Sequence, residues 1–272
     1  MWQGIKIIIT GGSSGIGLTM AKMLASKGAE IALVARDEGK LAEAADEVRD
    51  IPGGTRPAIK SCDITDTEAA DTAFSEISES MDGVDVLVNS AGILTGGYFE
   101  RLPVDDFRRL METNFFGTLN STKAALPHIK KSGRAKIINI SSVAGAIGAF
   151  GYTSYCASKF AITGFTDALR MEMKPQGIAV HLALPPQTYT PMLSGVEDER
   201  TPENRKLAAS MATLTAEQTA KDIIKGVEKG RYLIVPGWQT RLMLRSSRWF
   251  PGFSRFVSDM IVKSAYRGPE ND

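Results

Sequence analysis

Apolar and polar positions along the chain follow two periods. Short runs of consecutive apolar, often β-branched residues stand at 5–10, 30–35, 57–62, 85–89, 134–141, 178–184 and 231–235. Between them lie longer stretches at 15–28, 38–50, 66–81, 103–131, 153–174 and 216–229, with apolar residues recurring every three or four positions. The short runs do not alternate: Val86-Leu87-Val88 and Ile137-Ile138-Asn139-Ile140 leave no polar face. Strands of that kind are buried on both sides, which predicts a parallel sheet covered by helices. The regular alternation of strand and helix predicts one doubly wound α/β domain with a seven-stranded parallel sheet, over residues 1–236.

Two segments break this rhythm. Residues 186–214 form a long connection after the sixth strand; its Met192, Leu193, Leu207, Met211 and Leu214 read either as a substrate lid or as a plain surface helix. Residues 237–272 form a tail, treated as part of the same domain. It carries Arg241, Arg245, Arg248, Arg255, Lys263 and Arg267 against Asp259, interleaved with Trp238, Leu242, Trp249, Phe250, Phe253, Phe256, Met260 and Ile261. A basic segment of that kind can lie peripherally on an anionic membrane, cover an acyl-chain tunnel, or pack against its own domain or a sister subunit.

Composition narrows the function classes. The chain has 272 residues with a formal net charge of +1, so no global field draws it to nucleic acid. No apolar run is long enough for a transmembrane helix. A first strand that starts almost at once, followed by glycines, leaves no signal-peptide core. Cys62 and Cys156 give no disulfide framework, and a reducing cytoplasm is expected, with peripheral membrane contact as an option. No His, Cys and Asp spacing suggests a metal. His181, inside a strand, reads as a core residue. His128, near a helix end, reads as a cation suited to the dipole.

The candidate chemistry falls at the carboxyl ends of the strands, where open parallel sheets bind ligands. Strand one ends in Thr10-Gly11-Gly12-Ser13-Ser14-Gly15-Ile16-Gly17 and a helix follows. Glycines permit the tight turn and let backbone approach a pyrophosphate, and the helix start offers free N–H groups. The spacing is G-x-x-x-G-x-G rather than G-x-G-x-x-G, and its place between a strand and a helix favours a dinucleotide phosphate turn over a simple turn. Strand two ends in Ala35-Arg36-Asp37. Arg36 offers a fork of donors suited to a 2′-phosphate, which points to NADP(H). Asp37 could bond a ribose instead, but directly before a helix it reads better as an N-cap.

Tyr155 and Lys159 are four residues apart at the start of a long helix, hence on one face. An ammonium nearby lowers a phenol's pKa, so Tyr155 can exchange a proton with an alcohol or alkoxide. Ser142, at the end of strand five, can donate to the same oxygen. Asn114 is a poor helix-interior residue and can hold a water beside Lys159. Taken alone, each has a plain structural reading: a surface polar pair, a loop serine, a buried asparagine.

Taken together, these residues resemble the short-chain dehydrogenase/reductase family over about residues 5–235. The resemblance rests on Thr10-Gly11-x-x-x-Gly15-x-Gly17, Asp63, Asn89-Ser90-Ala91-Gly92, Asn114, Ser142 and Tyr155-x-x-x-Lys159. It implies a proton relay of Asn114, Ser142, Tyr155 and Lys159, with Lys159 also holding the nicotinamide ribose. It implies NADPH or NADP contacts from Gly11, Ser13, Ser14, Gly15, Ile16 and Gly17, and from Asp63, Ile64, Asn89, Ala91 and Gly92 around the adenosine half. Pro185, Thr188 and Thr190 are implied on the nicotinamide side. A homodimer or homotetramer through residues 103–131 and 153–174 is also implied. Two positions depart from the family pattern: Ser90 replaces an asparagine, and Pro185-Pro186 replaces Pro-Gly, which stiffens that floor.

Within the family, Val34-Ala35-Arg36-Asp37, Ser158-Lys159-Phe160-Ala161-Ile162, Met171-Glu172-Met173-Lys174-Pro175 and the run from Pro185 to Pro191 resemble a branch that reduces the keto group of long-chain sphingoid bases with NADPH. Eukaryotic members of that branch carry an N-terminal hydrophobic anchor, whereas this chain starts at strand one. The expectation is therefore an oxidoreductase interconverting a carbonyl and a secondary alcohol on a lipophilic chain. A steroid, acyl-thioester, sugar or xenobiotic carbonyl stays open, as does an NADPH-binding regulator without catalysis, although Tyr155 and Lys159 are both present.

Overall fold

The structure is a computed structural model that describes residues 1–266. Its sheet is built from β1 (Lys6–Thr10), β2 (Glu30–Ala35), β3 (Ala58–Ser61), β4 (Val86–Asn89), β5 (Lys136–Ile140), β6 (Ala179–Ala183) and a two-residue final strand, β9 (Leu233–Ile234). All pairings are parallel, in the order β3-β2-β1-β4-β5-β6-β9. The strand order reverses between β1 and β4, which opens a crevice at their carboxyl ends.

The unbroken apolar runs are explained by the two layers they feed. Ile7, Ile9 and Leu33 point to one face, where α1 (Gly15–Ala25), α2 (Glu38–Arg49) and α9 (Ala216–Glu228) supply Met20, Leu24, Leu41, Val48, Ile223 and Val227. Ile8, Ala32 and Val34 point to the other. There α3 (Thr67–Ser80), α5 (Gly117–Ile129) and α6 (Thr153–Met173) bring Phe74, Ile77, Ala125, Ile129, Leu169 and Met173. Alternate residues of one strand thus fill opposite cores.

The stretch expected as one helix over 103–131 is three pieces. A helix α4 (Val104–Leu110) passes into a π-helical stretch (Met111–Phe116) and then into α5. The wider turn takes up an extra residue and re-aims the side chains within it, which is how π segments come to serve sites. Asn114 lies in this stretch, wholly buried.

The connection after β6 contains β7 (Thr188–Tyr189), α7 (Pro191–Ser194), α8 (Pro202–Ala209) and β8 (Leu214–Thr215), with β7 and β8 paired as a small parallel ladder. Such two-residue strands carry no period to read. The tail is two helices, α10 (Trp238–Trp249) and α11 (Pro251–Ala265), with α11 packed against α8. Arg267 lies outside the described residues. Among the described residues, no helix is long and apolar enough to cross a membrane.

Candidate active site

One cleft of about 710 Å³ runs across the carboxyl ends of the strands, from Arg36 at one end to α11 at the other. At its centre the glycine loop turns between β1 and α1. Gly11 has φ +65°, and a Cβ there would stand 2.7 Å from the Ala91 backbone. A Cβ on Gly17 would stand 2.4 Å from the Gly11 carbonyl oxygen. Gly11 thus lets two loops touch, and Gly17 lets α1 sit on its own loop. Ser14 precedes α1 without a side-chain cap, and the helix's first turn holds no acid. Its free N–H groups therefore face the cleft beside Ser13, Ser14, Gly15 and Ile16, all of which line it. This cradle fits a dinucleotide pyrophosphate.

The loop after β6 closes the opposite lip. A Cβ on Gly15 would stand 3.3 Å from Thr190 Cγ2, so the two lips meet there. Pro185, whose carbonyl accepts from Val143 N–H at 2.9 Å, and Thr188, held by Thr219 at 3.2 Å, line the same side.

At the adenosine end, Arg36 is exposed at the cleft edge and has no ion-pair partner among the described residues. Asp37 accepts from Lys40 N–H at 3.0 Å, as an N-cap does. That bond is the main cause holding its carboxyl below the usual value. Lys40, in the first turn of α2, lines the cleft as well. Asp63 accepts from Thr65 N–H and Oγ1 at 3.0 and 2.9 Å, and with Ile64 it walls the cleft. Ala91 and Gly92 line it too.

Two expected contacts fall elsewhere. Asn89 turns away from the cleft and donates to Thr122 Oγ1 and Asn139 Oδ1 at 3.0 and 2.8 Å, while Asn139 donates to Thr166 at 2.9 Å. It is 2% exposed, and its side chain belongs to a polar ladder tying β4 to β5 and on to α6. Gly17 sits behind the glycine loop and serves close packing.

At the reacting end, Tyr155 and Lys159 rise from the first turns of α6 and line the cleft together with Ser142. Gly145 makes this possible: a Cβ there would stand 2.6 Å from the Lys159 carbonyl oxygen, so only glycine lets the loop after β5 lie on α6. Ser141 Oγ donates to that same carbonyl at 2.8 Å. Lys159 Nζ donates to the Ile140 carbonyl at 3.2 Å and stands 5.7 Å from the Tyr155 ring centre.

The electrostatics differ from the sequence expectation. Burial pushes the Tyr155 phenol well above its usual value, and a hydrogen bond with Ser142 pulls it only part of the way back. Burial also draws Lys159 down to about 8. Desolvation disfavours the charged form of both groups and outweighs any mutual benefit at this separation. Burial thus favours the neutral form of the Tyr155 phenol.

Asn114 is held through its side chain. Its Oδ1 accepts from Ile93 N–H at 2.7 Å, and its Nδ2 donates to Ile93 O and Ser158 Oγ at 3.0 and 2.9 Å. A Cβ on Gly92 would lie 3.1 Å from that Oδ1 and 3.5 Å from Lys159 Nζ, so Asn114 reaches the edge of the site. Its carboxamide clamps the loop after β4, and no direct hydrogen bond to Lys159 joins it to a relay among the described residues.

The family model described as short chain dehydrogenase matches residues 6–201. This chain belongs to the short-chain dehydrogenase/reductase family. It is an oxidoreductase of that family, whose members use NAD(P), and its cradle fits that group. A 3-dehydrosphinganine reductase of Danio rerio is 38% identical over 233 residues, 85% of this chain and 70% of that protein. A fatty acyl-CoA reductase of Acinetobacter baylyi is 34% identical over 231 residues, 84% of this chain and 74% of that protein. Among solved structures, a short-chain dehydrogenase/reductase from Burkholderia phymatum in complex with NAD superposes with a TM-score of 0.81 at 22% identity. The match covers 93% of this chain and 95% of that one.

The far end of the cleft was not legible as a site. Met192 and Leu193 of α7, Leu207 of α8, Met243 of α10, and Phe253, Val257 and Ile261 of α11 all line it. The last three recur every four residues, a period visible in the sequence. The partner of that stripe was not.

Proposed function

We propose that this reductase converts the keto group of a long-chain lipid, 3-ketodihydrosphingosine, to a secondary alcohol with NADPH. One observation carries the reading. The charged residues lining the cleft are Arg36, Asp37, Lys40, Asp63 and Lys159, all at the dinucleotide half or at the catalytic lysine. Beyond Tyr155 the described wall is apolar or neutral, from Ile93, Leu94 and Ile147 to Ile261. Such a surface accepts an alkyl chain, at about 0.8 kcal/mol per buried methylene, and presents no charged group to a polar substrate. The resemblance to a relative named 3-dehydrosphinganine reductase supports the same choice.

NADPH is preferred over NADH on local grounds. Arg36 lacks an acidic partner among the described residues, Lys40 stands beside it, and Asp37 is engaged as a helix cap. A 2′-phosphate supplies the missing anion.

Lys159, Pro185, Thr188 and Thr190 would hold a reduced nicotinamide, which would supply the hydride for the carbonyl carbon. The chain's own groups handle the proton. Tyr155, protonated by virtue of burial, donates to the oxygen as negative charge develops there, and Ser142 offers a hydroxyl to the same oxygen. Lys159 holds its Nζ against the Ile140 carbonyl, 5.7 Å from the centre of the Tyr155 ring. Asn114 keeps the loop from Gly92 to Ile93 in place. The two exposed aromatics Phe116 and Phe160, with Met171, give this reading a face through which α5 and α6 pair in a homodimer or homotetramer. Sedimentation as a monomer at working concentration would remove that part.

The test is a substrate panel followed by nicotinamide absorbance: 3-ketodihydrosphingosine, a long-chain acyl-CoA, a steroid ketone and a keto-sugar, each with NADPH and NADH. Fastest turnover on the sphingoid ketone with NADPH is expected. The acyl-thioester, favoured by the likeness to a fatty acyl-CoA reductase, is the second reading. A higher kcat/KM for acyl-CoA would replace the first reading with it.

A further inference from the structure

The α10–α11 hairpin has two sides, and the reduction uses only one. Its inner side, with Met243, Ser246, Val257 and Ile261, lines the cleft. Its outer side carries Trp238, Leu242 and Trp249 on α10 and Phe256 and Met260 on α11, spaced by four or seven residues within each helix. Phe250 stands at the bend. These are large apolar side chains left in water: Trp249 is 77% exposed and Phe250 65%. A cluster of that size marks a surface that meets something.

The charges say what it meets. Arg241, Arg245, Arg248, Arg255 and Lys263 are all exposed, Asp259 is the one acid on either helix, and none of the five cations is in an ion pair among the described residues. Several surface cations elsewhere are answered locally, as Arg49 is by Asp46 and Asp50 or Arg108 by Asp105. A second copy docked through this face by two-fold symmetry would set the same arginines against each other with almost no acid to balance them. A nucleic acid would balance the charge and leave the tryptophan and phenylalanines in water. An anionic bilayer interface satisfies both, taking indole and phenyl rings at the level of its headgroups and arginines at its phosphates.

We propose that the α10–α11 hairpin docks this protein peripherally on an anionic lipid bilayer, with Trp249, Phe250 and Phe256 entering the interface and Arg241, Arg245, Arg248 and Arg255 facing the headgroups. The inner side of the same hairpin then places the apolar end of the cleft next to the phase in which a lipid dissolves. The proposal stands on the outer face and does not depend on which carbonyl is reduced.

Flotation of the full chain with vesicles tests it, using phosphatidylcholine alone and phosphatidylcholine mixed with phosphatidylserine. Flotation with the mixed vesicles, weak flotation with the neutral ones and release by high salt are expected. Arg248→Ala with Arg255→Ala lowers the partition by about 25-fold, on the basis of about fivefold per charge. Trp249→Ala with Phe256→Ala lowers it further at all salt concentrations. None of these four side chains lines the cleft, so turnover of a short, water-dissolved ketone stays at the wild-type rate and reports that the variants fold. Absence of flotation with the mixed vesicles overturns the proposal, as does binding that both double variants leave unchanged. A dimer in solution that those variants split overturns it too, and assigns the face to a second copy. Failure of the substrate panel with flotation intact sinks the substrate reading alone.

Discussion

The two ends of the cleft are built by different means. The dinucleotide half is made at strand ends, by backbone and short polar side chains: the glycine loop, Asp63 against Thr65, and Arg36 beside the capped start of α2. The substrate half is made by side chains of helices packed on after the sheet is nearly complete, from α7, α8, α10 and α11. The first half is charged and tied down by hydrogen bonds. The second is neutral and held by apolar contact. Chemistry common to many substrates sits on the rigid half, and the choice of substrate sits on the half that packing alone defines.

Variants at the junction and in each half should separate these contributions. The largest effect belongs to the junction: Tyr155→Phe should lower kcat by about 10²–10⁴-fold while NADPH binding, read by fluorescence, is kept. Wild-type turnover would remove Tyr155 as the donor. In the dinucleotide half, Arg36→Ala should reduce the preference for NADPH over NADH by about 10- to 150-fold, the value of a charge-assisted hydrogen bond, with KM for the carbonyl unchanged. An unaltered ratio would pass the role to Lys40. The pH profile sharpens the junction further. Lys159 is cationic below about 8 and neutral above it. Reduction that relies on the ammonium is therefore flat at lower pH and falls by about tenfold per unit above that point. A profile flat through pH 9 would mean that the lysine's charge is not used.

In the substrate half, Ile261→Ser should raise KM for a long-chain ketone by about tenfold, from the loss of roughly 1.5 kcal/mol of apolar contact, and leave NADPH affinity alone. Equal effects on both ligands would show the two halves to be coupled. The smallest functional effect is expected at Asn89→Ala. It strips donors from Thr122 and Asn139 and should cost about 1–3 kcal/mol of stability, seen as a lower Tm, without changing NADPH affinity. A selective loss of NADPH affinity would return Asn89 to the cofactor site.

The sequence made the dinucleotide half legible because strand ends and glycine spacing constrain backbone, and backbone geometry leaves local marks. Gly11, Gly15 and Asp37 could be interpreted from their neighbours alone. Tyr155, Lys159 and Ser142 were legible as a set. The sign of the pKa shift at Tyr155 was not, because it depends on how deeply the ring is buried, which no spacing records. The direction of the Asn89 side chain was not legible for a related reason: a polar residue at a strand's carboxyl end can turn into the cleft or into the core, and the choice is made by Thr122 and Asn139, distant in sequence. The break in the helix at Met111–Phe116 left only one trace, an asparagine out of place. The stripe Phe253, Val257 and Ile261 was visible, but what it faces is decided by tertiary packing against α8.

The strand order has a consequence for how the chain is made. β1, the first strand synthesised, lies inside the sheet, and every later strand joins at an existing edge: β2 and β3 on one side, then β4, β5, β6 and β9 in turn on the other. No strand must be inserted between two already paired. A chain emerging from the ribosome can therefore grow its sheet outward without undoing an earlier step, and only the two current edge strands are open to wrong partners at any moment.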